Sequence, residues 1–170
     1  MKILHLYVSD AHNYFGHHGR EPDAHEVTEV MRVRCLAGRG IEGDRFCDYK
    51  ANYKGQITFF ALEVYEELCQ AFALRDHSPA ALRRNVITIG ADLNALIGAR
   101  FELQGVQLEG VEECRPCYWM DRAFHPGAEN WLKGRGGLRA RILTDGWLTA
   151  DGAQSQQHRE RDSQIACARG

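Results

Sequence analysis

The sequence offers no second CxxC pair, no HxxxH pair and no apolar stretch of membrane-spanning length, and each absence closes off a class of function. Without two further ligands at tight spacing, the thiols of Cys114-Arg115-Pro116-Cys117 lack the company a structural zinc ion needs for its tetrahedron. The opening MKILHLYVSDAH stays apolar only to Val8 and has no small-residue cleavage pattern, so it is too short for a secretory signal core. With no transmembrane segment either, no membrane partner is expected, and the expected location is the cytoplasm, where the six cysteines would be reduced thiols. An excess of one charge is also missing: a formal net charge of -2 with 26% charged residues argues against nonspecific grip on nucleic acid or an anionic surface. Any cationic site must be local.

What is present is a chain of 170 residues, enough for one domain with a real core. A single domain over residues 1–152 is expected, followed by a mobile polar tail over 153–170 in which Cys167 is incidental. Lys2 to Val8 reads as a strand, and the loop after it is rich in His, Asn and Gly, including His12, Asn13, His17 and His18. Met31, Val33 and Cys35 alternate with Arg32 and Arg34, the period of a half-buried strand. Gln56 to Phe60 reads as another strand. Leu62, Tyr65, Leu68, Cys69 and Phe72 fall at helical spacing, which makes 62–72 an amphipathic helix with Cys69 on its core side. Ser78-Pro79 reads as a cap and a first-turn proline ahead of a strand from Asn85 to Ile89. Two strands are expected around Gln104-Gly105 and two more around Asp145-Gly146, a hairpin dipeptide. Many short strands with few helices predict a mainly β fold with peripheral helices, a closed or nearly closed barrel.

Three readings of the two-cysteine turn remain. Besides zinc, it could exchange disulfides, but that chemistry normally sits at a helix N-terminus in a βαβ unit, and here the turn follows a β-hairpin pattern. Alternatively, Cys117 is a lone reactive thiolate beside Pro116, with polar partners from other loops. GIEGDRF brings glycines around Asp44 and Arg45, where backbone N–H groups can approach a ligand. LRRNVIT brings Arg83, Arg84 and Asn85 to the mouth of a strand, and strand alternation puts Arg83 and Asn85 on one face with Arg84 on the other. A guanidinium and a carboxamide together suit a phosphate joined to a hydrogen-bonding heterocycle.

Taken in order from about Val27 to Gly152, the segments RGIEGDRF, GQITFFALEVYEEL, RRNVITIGADLNALIGARFELQGVQLEG, CRPC and GLRARILTDG resemble the MOSC family, named for the C-terminal part of molybdenum-cofactor sulfurases. The resemblance implies a β-barrel of the pyruvate-kinase type and a pocket for the molybdenum cofactor, molybdopterin. It implies that Cys117 binds molybdenum or carries sulfur, and that Arg83 and Asn85 hold the phosphate and the pterin. Arg115, Asp44, Arg45, His12 and Asn13 are further expected cofactor contacts; His12-Asn13 stands where many members have a lysine-containing loop. Cys114 is an additional thiol that the family pattern does not require. The resemblance further implies reduction of N-hydroxylated or N-oxide compounds such as hydroxylaminopurines, with electrons from a separate reductase. A sulfur carrier with a persulfide on Cys117, a thiol-disulfide protein and a cofactor-binding module are the alternatives.

Overall fold

Val33 and Cys35 are buried while Arg32 and Arg34 are exposed, and that period of two organises most of the chain. The computed structural model describes residues 1–13, 21 and 23–151; His17, His18, Cys167 and the expected mobile tail lie outside the described residues. The strands are β1 (Lys2–Val8), β2 (Thr28–Val30), β3 (Arg32–Leu36), β4 (Gly40–Ile41), β5 (Ile57–Ala61), β6 (Val86–Ile89), β7 (Arg100–Leu103), β8 (Val106–Glu113), β9 (Leu138–Ile142) and β10 (Gly146–Thr149). The helices are α1 (Leu62–Ala71), α2 (Trp119–Ala123) and α3 (Ala128–Trp131), with a 3-10 turn at Pro79–Leu82.

Seven strands form one sheet in the order β2-β1-β6-β5-β9-β8-β7, and β10-β3-β4 form a second. Register shifts in β1 between Ile3 and His5 and in β8 between Gly110 and Glu112 bend the large sheet, which curls into half a barrel. The small sheet packs on its inner face, so Val33, Cys35, Ile41 and Leu148 share one core with Leu6, Phe59, Val86 and Leu108. On the other face Tyr7, Phe60 and Ile87 meet Tyr65 and Leu68 of α1, Met120 of α2 and Leu132. Strands β5 and β6 therefore bury both faces, which is why ITFF and VITI read as unbroken apolar runs. They are parallel neighbours, joined through α1, and each fully buried Phe of β5 contributes about 1.5–3 kcal/mol of transfer free energy.

The local signals behave as their chemistry dictates. Ser78 accepts from the Ala80 amide at 3.2 Å and Pro79 opens the 3-10 turn. Gln104 and Gly105 both take positive φ, 50° and 83°, and close the β7–β8 hairpin. The pair Asp145-Gly146 does not make a hairpin. β9 has β5 on one edge and β8 on the other, leaving no edge for β10, which crosses to the small sheet and pairs with β3. Asp145 Oδ1 instead accepts from the Ala37 amide at 2.7 Å, and Gly146 is needed because a Cβ there would lie 2.7 Å from Val106 Cγ2. The short helices α2 and α3 have too few turns to show a period in the sequence.

Gly137 marks the tightest crossing near the site. Its φ is +91°, and a Cβ would stand 2.1 Å from the Phe59 carbonyl oxygen across the β5–β9 junction. Gly137→Ala is expected to cost about 3 kcal/mol, read as a lowered urea midpoint with an unchanged slope.

Candidate functional site

Thr58 shares its sheet face with Phe60, and opposite it in register stands Arg139 of β9. Around this pair, where β1 ends, β6 begins and β8 ends, the helical face of the sheet leaves a cleft of about 320 Å³. Four guanidinium groups line it, those of Arg45, Arg83, Arg84 and Arg139. Aromatic rings come from His12, Phe46, Tyr53 and Trp119, and thiols from Cys114 and Cys117. Among the described residues no carboxylate lines the cleft, so the charged groups at its surface are all cationic, with Asp44 and Glu112 pairing Arg45 and Arg139 from behind the lining. Such a cavity suits an anionic ligand that also carries a flat ring.

The arginines differ in how they are held. Arg45 is only 10% exposed in its side chain, with Asp44 at 3.6 Å. Burial pulls its pKa down, and Asp44 opposes that pull. Arg83 ends the 3-10 turn in the left-handed conformation, φ 55° and ψ 38°, and its Nη2 donates over long distances to Ser9 Oγ at 3.4 Å and the Ala11 carbonyl at 3.3 Å. Arg84 donates to the carbonyls of Leu82 at 2.9 Å, Cys114 at 3.0 Å and Gly136 at 3.3 Å. Arg139 pairs with Glu112 at 3.2 Å, and Lys54 meets the other oxygen of that carboxylate at 2.5 Å. The Lys54 hydrogen bond, followed by the charges of Lys54, Arg139 and Arg115, holds Glu112 below the usual carboxylate range against burial.

This arrangement corrects the alternation expected for Arg83, Arg84 and Asn85. Strand parity does not apply, because the chain is still in a left-handed turn at Arg83 and β6 begins only at Val86. Arg83 and Arg84 both line the cleft, whereas Asn85 is 3% exposed and sits behind its floor. The Asn85 carboxamide accepts from the Thr58 amide and hydroxyl at 3.1 and 2.8 Å, and donates to the Tyr7 carbonyl and to Asp44 Oδ2 at 3.3 and 3.1 Å. It positions Thr58 and Asp44. Asp44 also lies outside the lining: its carboxylate accepts from the amides of Ser9 and Phe46 and aligns Arg45 beside it.

Arg115, expected as a cofactor contact, is exposed and outside the lining, since Cys114 turns its side chain to the cleft and the next residue faces away. Asn13 does line the cleft, with its carboxamide bridging the His25 amide and carbonyl at 2.9 and 2.8 Å. His12 lies edge-on to Phe46 with ring centroids 4.8 Å apart. Burial lowers its pKa, the Arg45 and Arg83 charges push the same way, and Asp44 opposes them. A histidine depressed below its unfolded value of 6.5 makes the unfolded chain the better proton binder, so stability is lost as pH falls from 6.5 towards the folded value. Chemical denaturation between pH 7 and pH 5 should therefore show the wild type losing more stability than His12→Gln.

The two-cysteine turn is held from three sides. The Cys114 amide donates to the Gly137 carbonyl at 2.7 Å, Arg84 grips the Cys114 carbonyl, and the Cys117 carbonyl accepts from the Met120 amide at 2.8 Å. A Cβ on Gly136 would lie 2.4 Å from the Cys114 carbonyl oxygen and 2.9 Å from Pro116 Cδ, so this position admits glycine alone. The expected hairpin does precede the turn, and α2, which the sequence does not announce, follows it. Arg84→Ala removes all three carbonyl contacts at once and is expected to cost about 2–3 kcal/mol and to loosen the turn, which faster amide exchange at Cys114 and Gly137 would report. Arg84 thus braces the turn from within the cleft, where alternation had put it on the opposite face from Arg83.

Tyr53, Phe46, Trp119 and Arg139 also line the cleft, and no motif in the sequence singles them out. Phe46 and Tyr53 stack at 5.1 Å, and Tyr53 follows a turn whose Arg39–Asp48 ion pair is bidentate at 2.7 and 2.6 Å. The aromatic spacing in RFCDYKANY is visible in the sequence; its convergence on the cleft is not.

Fold and site together define a curled-sheet β protein with a cationic cleft that carries an exposed thiol. The chain belongs to the MOSC domain family, whose model matches residues 11–153. No curated protein matches it. Among solved structures it is similar to YuaD from Bacillus subtilis, with 18% identity, a TM-score of 0.67 and coverage of 88% of this chain and 91% of that one. YiiM from Geobacillus stearothermophilus superposes with a TM-score of 0.62 at 15% identity over 87% of this chain and 70% of that one. YiiM from Escherichia coli gives 0.59 at 18% identity over 86% and 66%. At these identities the likeness establishes the fold. No helix among the described residues is long and apolar enough to cross a membrane.

Proposed function

We propose that this protein binds a molybdopterin-type cofactor in the arginine-lined cleft and reduces N-hydroxylated or N-oxide compounds there. The observation that carries the reading is the lining itself: four guanidinium groups, no carboxylate among the described residues, aromatic rings and an exposed thiol share one cavity. That donor set fits the group. Arg83 and Arg45, both in the lining, offer charge-assisted hydrogen bonds to a phosphate. Phe46, Tyr53 and Trp119 offer faces and edges to a pterin-like ring. Cys117 is the soft ligand that would hold molybdenum.

The bound metal would supply two-electron oxygen-atom chemistry, and the chain supplies the rest. Converting R–NHOH to R–NH2 and water consumes two electrons and two protons. Arg45 and Arg83 anchor the anionic end, Arg84 and Gly136 fix the Cys117 turn, and Asn85 and Asp44 hold Thr58 and Arg45 in place from behind. His12, at the cleft wall, can pass protons through its imidazole nitrogens. The electrons come from a separate reductase partner.

Protein produced in cells that make the cofactor should carry molybdenum and a fluorescent pterin oxidation product close to one per chain. Metal-free protein bearing stoichiometric cyanide-releasable sulfur would replace this reading with the sulfur-carrier one, and protein with neither would remove both.

A further inference from the structure

Cys114 is only 4% exposed, yet it lines the same cleft as Cys117, which is exposed. The buried thiol is thus approached from the side on which Cys117 stands. The other described cysteines have no such relation to it. Cys35 lies in the inner core with its thiol pushed up to about 12 by burial. Cys69 packs against the helical cluster, and Cys47 lies beside Asp48 outside the lining. Only Arg115 and Pro116 separate the two cleft thiols, and the Gly137, Arg84 and Met120 contacts hold both ends of the turn. The Arg139 guanidinium lines the same cleft as the Cys114 sulfur, where its charge acts on that sulfur, and it is itself fixed by Glu112.

From this arrangement we propose that Cys117 is a site of peroxide oxidation and that Cys114 is its resolving thiol, so that the cleft closes an internal disulfide. Cys117, as thiolate, attacks one peroxide oxygen; the O–O bond breaks, a sulfenic acid forms and hydroxide leaves. The Cys114 sulfur then attacks the Cys117 sulfur, the S–O bond breaks, and the departing hydroxyl takes up a proton and leaves as water. In total two thiols and one hydrogen peroxide give one disulfide and two waters, with two electrons passing from sulfur to peroxide. Arg139 places a positive charge beside the attacking sulfur. The consequence rests on the function proposed above: the disulfide consumes the sulfur assigned to molybdenum, so oxidised protein would not load the cofactor and exposed Cys117 would be spared irreversible oxidation before loading. The disulfide itself stands or falls without that reading.

The test uses full-length, cofactor-free protein treated with one to two equivalents of hydrogen peroxide, alkylated and mapped by peptide mass spectrometry. The expected result is a loss of about 2 Da in the segment holding Cys114 and Cys117, restored by dithiothreitol. In Cys114→Ser a dose of about two equivalents, one for each oxidation step, should carry Cys117 through sulfenic to sulfinic acid, which dithiothreitol does not reverse. Wild-type protein in which Cys117 becomes sulfinic while Cys114 stays alkylatable would overturn the proposal, as would a bridge from Cys117 to Cys47, to Cys167 or to a second chain. A failure to find molybdenum in protein from cofactor-making cells would leave these outcomes unchanged and would count against the function alone.

Discussion

Cys117→Ala is expected to abolish molybdenum retention and to leave folding stability within about 0.5 kcal/mol of the wild type. The side chain is exposed at the cleft, so its removal opens no core cavity, and the backbone contact that ties the turn, from the Met120 amide to the Cys117 carbonyl, does not depend on the side chain. What disappears is the thiol proposed above as the soft ligand. Cys35→Ala is the matched control, because Cys35 is fully buried between the sheets and far in character from a ligand: it should lower stability and keep the metal. Elemental analysis and urea denaturation of both variants separate the two effects, and a Cys117→Ala protein with a full complement of molybdenum would end the ligand assignment.

Asp44→Ala should be the most destabilising single change near the site, about 4 kcal/mol. The Asp44 carboxylate, 1% exposed, accepts from the Ser9 amide at 3.2 Å, the Phe46 amide at 3.1 Å and the Asn85 carboxamide at 3.1 Å, and stands 3.6 Å from Arg45. Truncation strands these donors in a dry place and leaves a buried guanidinium without its counter-charge, which is the costly way to break a buried pair. Asp44→Asn keeps one acceptor and loses the charge, so it should recover part of the stability but little of the anion affinity proposed for a well-aimed Arg45. Urea midpoints for the three proteins, with binding of inorganic pyrophosphate followed by calorimetry, read both consequences. A loss below about 1 kcal/mol for Asp44→Ala would mean that the hub is not energetically central.

Much of the fold could be read along the chain because its signals are local. The β1 strand, the Ser78-Pro79 cap, the amphipathic stripe of α1 and the Gln104-Gly105 turn each depend on residues a few positions apart, and each stands where the sequence puts it. The same holds for the loop position of Cys117 beside Pro116 and for the ordered motifs that marked the MOSC family. Asp145-Gly146 shows the limit of local reading. Its chemistry permits a hairpin, but strand pairing is decided by which edges are unoccupied, and β9 already had two neighbours before β10 was reached.

The site was divided in the same way. The residue types alone singled out a thiol, an arginine pair and a glycine-aspartate turn as candidates for holding an anionic group, because those types carry the needed charge and softness wherever they sit. Tertiary structure decided which of them face it. A left-handed turn at Arg83 cancelled the strand parity on which the Arg83-Asn85 pairing rested, sending Arg84 into the cleft wall and Asn85 beneath it. Arg139 and Tyr53, from β9 and from a turn 86 positions away along the chain (139 minus 53), joined the lining because the curled sheet and the aromatic turn pack side by side. Periodicity reports which face a residue takes within its own element. Which elements share an edge, and which backbone groups are left for an arginine to satisfy, depends on closing the whole sheet.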